Sequence, residues 1–277
     1  MRWRTEDRAP NSTGDKVFYL ALSILGSSYV LLVIAMLLAD LAYTTPGHLL
    51  ASLLSPEIRY ATKLSLLSCT LTTLLSLWVA VPLGYLLARR NFPGKQIVDL
   101  LVDIPIVLPP LVVGLSLLIL FQSKIGRSFE SVFPVTYAVP SVILAQFMVA
   151  CAFAVRTMRT TFEQMNPRTE QVALTLGCSR NEAFWLVSIP GARRGIIAAA
   201  TLAWARSLGE FGPILVFSGA TRFKTEVLST TVFLELSVGN LEAAVAVSLL
   251  MVVAAVFTLA VLRRWGQAGM LESARRA

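Results

Sequence analysis

RTMRTTFEQMNPRTEQVALTLGCSRNEAFWLVSIPGARRG, Arg156 to Gly195, is a forty-residue basic stretch between two long apolar runs, and it carries helical punctuation of its own. Asn166 can cap a helix whose first position is Pro167, and Gly177 offers a left-handed stop about three turns later. Ser179 and Glu182 then have the spacing of a capping box that opens a second helix. Pro190 is expected to end that helix, because it lacks a donor and disfavours helical geometry at Ile189. A plain connection needs far fewer residues. Two short capped helices here therefore predict a docking surface for a soluble partner. The simpler alternative is a basic amphipathic segment lying on the membrane surface.

Around that loop the chain reads as an all-α integral membrane protein. Of its 277 residues, 56% are hydrophobic and 14% charged, with a mean hydropathy of +0.70, too apolar for an ordinary soluble domain. Uncharged runs occupy 17–39, 64–88, 104–123, 135–155 and 243–262, each near the roughly 20 residues a spanning helix needs. A further run, 195–220, is as long but holds Arg206 and Glu210. Six transmembrane helices are expected, within a membrane domain over 17–262. An N-terminal segment (1–16), the loop (156–194) between the fourth and fifth spans, and a tail (263–277) complete the chain.

The Lys and Arg residues alternate in density from one connection to the next. Seventeen lie in the N-terminal segment, the second connection, the loop and the tail, against six in the other three connections (Arg59, Lys63, Lys124, Arg127, Arg222, Lys224). The positive-inside rule then places both termini and the loop in the cytoplasm. The formal charge of +8 is accounted for by topology, so no nucleic-acid partner is implied; membrane lipid is. The first apolar run follows a polar lead of sixteen residues and exceeds a signal-peptide core, which predicts a retained anchor. Cys69, Cys151 and Cys178 offer neither a disulfide framework nor a zinc spacing, and His48 has no cluster of metal ligands around it. No metal site is expected.

Nor is a catalytic residue expected. The chain has no GxxxxGK[ST] phosphate loop, no HExxH, and no serine or cysteine nucleophile with a nearby histidine. Any ATP and Mg belong to a partner subunit. The halves show no obvious duplication, which weakens the alternative of an ion-gradient-driven secondary transporter or channel.

The run 195–220 contains the other unusual chemistry. Arg206 and Glu210 are four apart, so on a helix they share a face and can pair. Intramembrane charges are costly, and pairing toward the bundle interior is the expected resolution. Pro213 cannot donate to Gly209, so the helix should kink or break beside the pair. Broken helices at membrane depth are tolerated where they line a cavity. Arg206, Ser207, Gly209, Glu210, Gly212 and Pro213 are thus candidates for a pathway or gate; the plainer reading is a pair that only fixes helix packing. Pro105, Pro109 and Pro110 are expected to shape the third span.

Within the loop, QVALTLGCSRNEAFWLVSIPG resembles the EAA signature of permease subunits of bacterial ABC importers. Gln171, Val172 and Ala173 occupy the triplet, Gly177 the glycine, and Val187, Ile189 and Pro190 the closing positions. Gln171 stands where the signature has an acid, with Glu170 as the neighbouring carboxylate. DIPIVLPPLVVGLSLLIL from Asp103, AVRTMRTTFEQM from Ala154 and ARSLGEFGPILVFSG from Ala205 are similar to the molybdate and sulfate branch, over roughly Leu64 to Arg264. The resemblance implies a coupling helix that fits a groove on an ATP-binding subunit, and a homodimer enclosing the pathway. It also implies two ATPase subunits below, carrying ATP and Mg, and a periplasmic or lipoprotein substrate-binding protein above. Molybdate is the cargo it favours, with tungstate and sulfate behind, in the inner membrane of a bacterium or archaeon. The ATPase-coupling residues it assigns are Glu170 through Ala173, Gly177, Ser179, Glu182, Val187, Ile189 and Pro190.

Overall fold

The computed structural model describes residues 13–274, and the regular structure among them is helical. The elements are α1 (Thr13–Tyr43), α2 (Pro46–Leu54), α3 (Pro56–Arg89), α4 (Lys95–Val107), α5 (Pro110–Gln122), α6 (Lys124–Glu130) and α7 (Val139–Gln164). They continue with α8 (Arg168–Thr175), α9 (Arg180–Ala183), a π-helical turn (Phe184–Ser188), α10 (Ile189–Leu208), α11 (Gly212–Phe217), α12 (Leu228–Ser237) and α13 (Leu241–Ala274). Residues 1–12, with Arg2, Arg4 and Arg8, and 275–277, with Arg275 and Arg276, lie outside the described residues.

Four described helices are long and apolar enough to cross a membrane: Asp15–Tyr43 in α1, α3, α7, and Leu241–Thr258 in α13. A fifth exists only if α4 and α5 are taken together, and the expected single span over 104–123 needs correction accordingly. The chain turns by 114° between those two helices. Leu108 and Pro109 each precede a proline and take extended ψ values of 140° and 133°, which ends one helix and starts the next. The run 195–220 is divided as well, between α10 and α11. With Arg193, Arg194 and Arg206 among its twenty residues, α10 does not qualify as a span by length and composition alone.

The centre of the bundle is α3, α7 and α10. Ala192, Ala199 and Ala203 on α10 are fully buried, so its backbone comes close to α7, as small residues allow between membrane helices. Gly84 does the same on α3, where a Cβ would sit 2.7 Å from Met158 Cβ. A polar thread joins all three helices. Thr72 Oγ1 donates to Gln146 Oε1 at 3.2 Å, and Gln146 Nε2 donates to the Ser207 carbonyl at 3.2 Å. Buried amides and hydroxyls need such partners because no water reaches them.

α4 is attached by charge as well as by the half-buried Val98 and Val102. It fully buries no residue, and Asp99 pairs with Arg156 at 3.2 Å and with Arg159, while Asp103 also meets Arg156. α5 and α11, the elements that follow the two helix breaks, pack backbone to backbone. A Cβ on Gly114 would lie 2.7 Å from Pro213 Cα and 2.9 Å from the Pro213 carbonyl oxygen; one on Gly212 would lie 2.9 Å from Pro110 Cβ. Each break is thereby pinned by the other.

Gly114→Ala should destabilise the protein by roughly 1–3 kcal/mol, because the obstruction is backbone that cannot rotate away. Gly26→Ala, which meets nothing within 4 Å, serves as the neutral control. Thermal unfolding in detergent reads the difference, and equal midpoints for the two variants would contradict the interlock.

Candidate docking loop and helix break

The loop forms from local signals that are mostly where the sequence puts them. Asn166 Oδ1 accepts the Arg168 N–H at 3.0 Å, so Asn166 does cap α8, although the regular helix opens at Arg168 rather than Pro167. Gly177 has φ +94°, with its N–H on the Leu174 carbonyl and the Cys178 N–H on the Ala173 carbonyl, each at 3.1 Å. That is the double closure of a Schellman stop. The capping box is complete as well: Glu182 N–H bonds to Ser179 Oγ at 3.3 Å, and the Ser179 N–H to Glu182 Oε2 at 2.7 Å. The latter bond holds the exposed Glu182 carboxyl below the usual carboxylate range.

The expectation that Pro190 ends the second helix is overturned. Ala183, Phe184, Ser188 and Ile189 all keep right-handed helical angles, and the Ile189 N–H bonds to the Phe184 carbonyl five residues back. This wider turn ends at Ser188, two residues before Pro190, which then sits in the first turn of α10. From Arg180 to Leu208 the helical backbone is uninterrupted, passing from α9 through the π turn into α10.

Glu170 faces the bundle rather than outward. Tyr85 Oη donates to Glu170 Oε2 at 3.0 Å, Arg89 Nε lies 3.4 Å from Oε1, and Arg89 Nη2 donates to the Met165 carbonyl at 2.9 Å. Tyr85 is itself edge-on to Phe162 and Phe184. Sequence reading missed Tyr85 and Arg89 as loop residues; nothing in the spacing signals a contact across 85 positions. Ala173 is buried, Val187 and Ile189 are half-buried, and Gln171, Val172 and Pro190 are exposed. Leu176, at the tip, is 81% exposed, with Trp185 and Leu186 open beside it.

At the far end of α10, Arg206 Nη1 lies 2.9 Å from Glu210 Oε2. The pair forms as expected, but across a break: α10 stops at Leu208, and Glu210 stands in the link before α11. Oε2 has no well-aligned hydrogen bond, so the contact is one of charge rather than a directed bond. The Glu210 side chain is 1% exposed and that of Arg206 31%, with its guanidinium 5.8 Å from the centre of the Phe153 ring. Ser229 Oγ takes up the Glu210 carbonyl at 2.7 Å, one of the backbone groups the break sets free. Ser207, Gly212 and Pro213 are buried, whereas Gly209 is exposed. At the surface of this helix end, then, the structure presents the cation and hides the carboxylate. Beyond the break, Arg222 and Asn240 hold Glu235, and burial pushes the Glu226 carboxyl up.

This chain belongs to the family of binding-protein-dependent transport system inner membrane components, whose pattern matches residues 80–268. It is 39% identical over 168 residues to the molybdate/tungstate transport system permease protein of Thermococcus kodakarensis, covering 61% of this chain and 64% of that one, just under two thirds of the relative's length. It is 30% identical to the sulfate transport system permease protein of Escherichia coli over 83% of this chain and 84% of that protein. Against the molybdenum transport system permease protein of Mycobacterium tuberculosis it is 34% identical over 74% and 78%. A chain of the bacterial alginate ABC transporter, solved in complex with an alginate pentasaccharide-bound periplasmic protein, has the same fold. Its TM-score is 0.69 over 90% of this chain and 93% of that one, at 18% identity.

Gly177→Val should cost roughly 1 kcal/mol or more of loop order, and since no atom lies within 4 Å of the new Cβ the whole effect comes from the positive φ. Gly177→Asn, a residue that tolerates this region, should behave almost as wild type. Amide exchange over residues 168–183 checks both, and equal protection in the valine variant would remove the stop from the loop's architecture.

Proposed function

We propose that the chain is the membrane-spanning subunit of an ATP-driven importer of tetrahedral oxyanions, with molybdate the favoured cargo and tungstate and sulfate close behind. The observation that carries this reading is the uninterrupted helical backbone from Arg180 to Leu208, which joins a capped, exposed loop at one end to a charged helix break at the other. The chain's similarity to molybdate, tungstate and sulfate permeases supports the cargo class. In this reading α10 and α11 together make the fifth of six spans, and both termini and the loop face the cytoplasm. Two copies of the chain enclose the pathway. An ATP-binding subunit sits under each copy, and a substrate-binding protein delivers the oxyanion from outside.

How the chain would act follows from its own geometry. Closure of the ATP-binding subunits displaces α8 and α9, and the helix that runs on from α9 into α10 carries the displacement toward the break. At the break, the displacement reaches α11 and, through the Gly114 and Gly212 contacts, α5. The open edge of Arg206 offers a cation where a dianion sheds water, which offsets part of its desolvation.

Purified alone, the chain should hydrolyse no ATP. In vesicles with its ATP-binding subunit and binding protein, it should take up labelled molybdate only when ATP is present on the cytoplasmic side. Uptake driven by an ion gradient without ATP would establish the secondary-transporter reading instead.

Glu210→Gln leaves Arg206 without its counter-charge. It should destabilise by on the order of 2 kcal/mol, less than for a fully buried pair because Arg206 keeps an exposed edge. Pairing it with Arg206→Gln should restore thermal stability but not oxyanion uptake. Full uptake by the stable double variant would reduce the pair to a packing device.

A further inference from the structure

Between the loop and the end of α3 lies a cavity of about 490 Å³. Leu86, Leu174 and Phe184 form apolar wall, and Arg90, Gln171 and Arg180 stand at its polar side. The charges around it do not balance. The Glu170 carboxylate is occupied by Arg89 and Tyr85, and Glu182, in the same loop but outside the cavity lining, stays exposed and charged while accepting the Ser179 N–H. Arg90 and Arg180 are exposed and have no acid partner among the described residues, and neither has Arg168 on the same loop. Gln171, at the position where the EAA-type signature carries an acid, brings no charge. Within the cavity lining, therefore, the loop shows its partner cations and apolar side chains, and the one carboxylate there, Glu170, is already paired.

Resting on the functional reading above, we infer that this cavity is a cationic socket that receives an acidic side chain of the ATP-binding subunit, the charge sense opposite to a loop acid meeting a basic groove. Charge complementarity fixes the sign of the occupant, because an acid entering between Arg90 and Arg180 is the partner that leaves neither cation unpaired. A protein partner suits the site better than a lipid headgroup. The cavity is walled on one side by α8 and α9, beside the exposed Val172, Leu174 and Leu176 of the same loop, so cation and apolar contact are presented together. Such a mixed patch is the anatomy of a protein interface.

The test uses the full-length tagged permease, co-expressed with the ATP-binding subunit that co-purifies with the wild type. Arg180→Glu and Arg90→Glu should each lower recovery of that subunit roughly tenfold or more, and added salt should weaken the wild-type complex in the same direction. Gln171→Glu is the sharpest arm. A cationic socket already matched to a partner acid is spoiled by a second carboxylate, so recovery falls; a basic groove on the partner would make it rise. Arg180 occupies the first turn of α9, where a glutamate favours the helix, so its reversal should leave the fold intact, which thermal unfolding of the variant checks. Undiminished recovery in Arg180→Glu, or a gain in Gln171→Glu, overturns the inference. So does normal recovery in Arg180→Glu accompanied by loss of co-purifying anionic lipid, which would give the socket to the membrane. If the wild type retains no ATP-binding subunit at all, the functional reading itself fails, and that outcome is distinct from the others.

Discussion

A helix that stops inside an apolar slab leaves carbonyl and amide groups that water cannot reach, and each must find a partner within the protein. This chain breaks its helices at Leu108–Pro109 and between Leu208 and Gly212, and it settles both breaks in one place. Pro213 lies against Gly114, Pro110 against Gly212, and Ser229 takes up the Glu210 carbonyl. Side chains larger than hydrogen at either glycine would force the two breaks apart. The rest of the bundle respects this arrangement: the polar thread from Thr72 through Gln146 ends on Ser207, immediately before the second break.

What reaches that point from the loop is set by a local accommodation at Pro190. A proline in mid-helix normally removes a bond and strikes the preceding turn. Here the turn before it widens to a π geometry, and the helix continues. The loop is fixed to the bundle twice over, through this helix and through Glu170 on Arg89 and Tyr85. α4, by contrast, is held by ion pairs to α7 and by the half-buried Val98 and Val102, with no fully buried side chain.

Much of this was legible before any coordinates. Composition alone placed the chain in a membrane, and capping chemistry marked Asn166, Gly177, Ser179 and Glu182, because those signals act within a few residues. The Arg206–Glu210 pair was legible for the same reason. The course of the chain after Pro190 was not, since a π turn depends on how Phe184 and Ser188 pack rather than on a residue type at a fixed offset. The inward turn of Glu170 depends on residues 81 and 85 positions away. The uncharged run over 104–123 read as one span because hydropathy is blind to direction, and two adjacent prolines turned it by 114°.

The central claim is that nucleotide at the loop end moves the interlocked α5–α11 body. In the transporter assembly proposed above, with Cys69, Cys151 and Cys178 replaced, a spin label at the exposed Leu111 on α5 reports the distance between the two copies of the chain that the proposal places there. Coupling through the helix predicts that trapping ATP on the partner subunits shifts this distance distribution. An unchanged distribution, in a preparation that still hydrolyses ATP and takes up oxyanion, would contradict it.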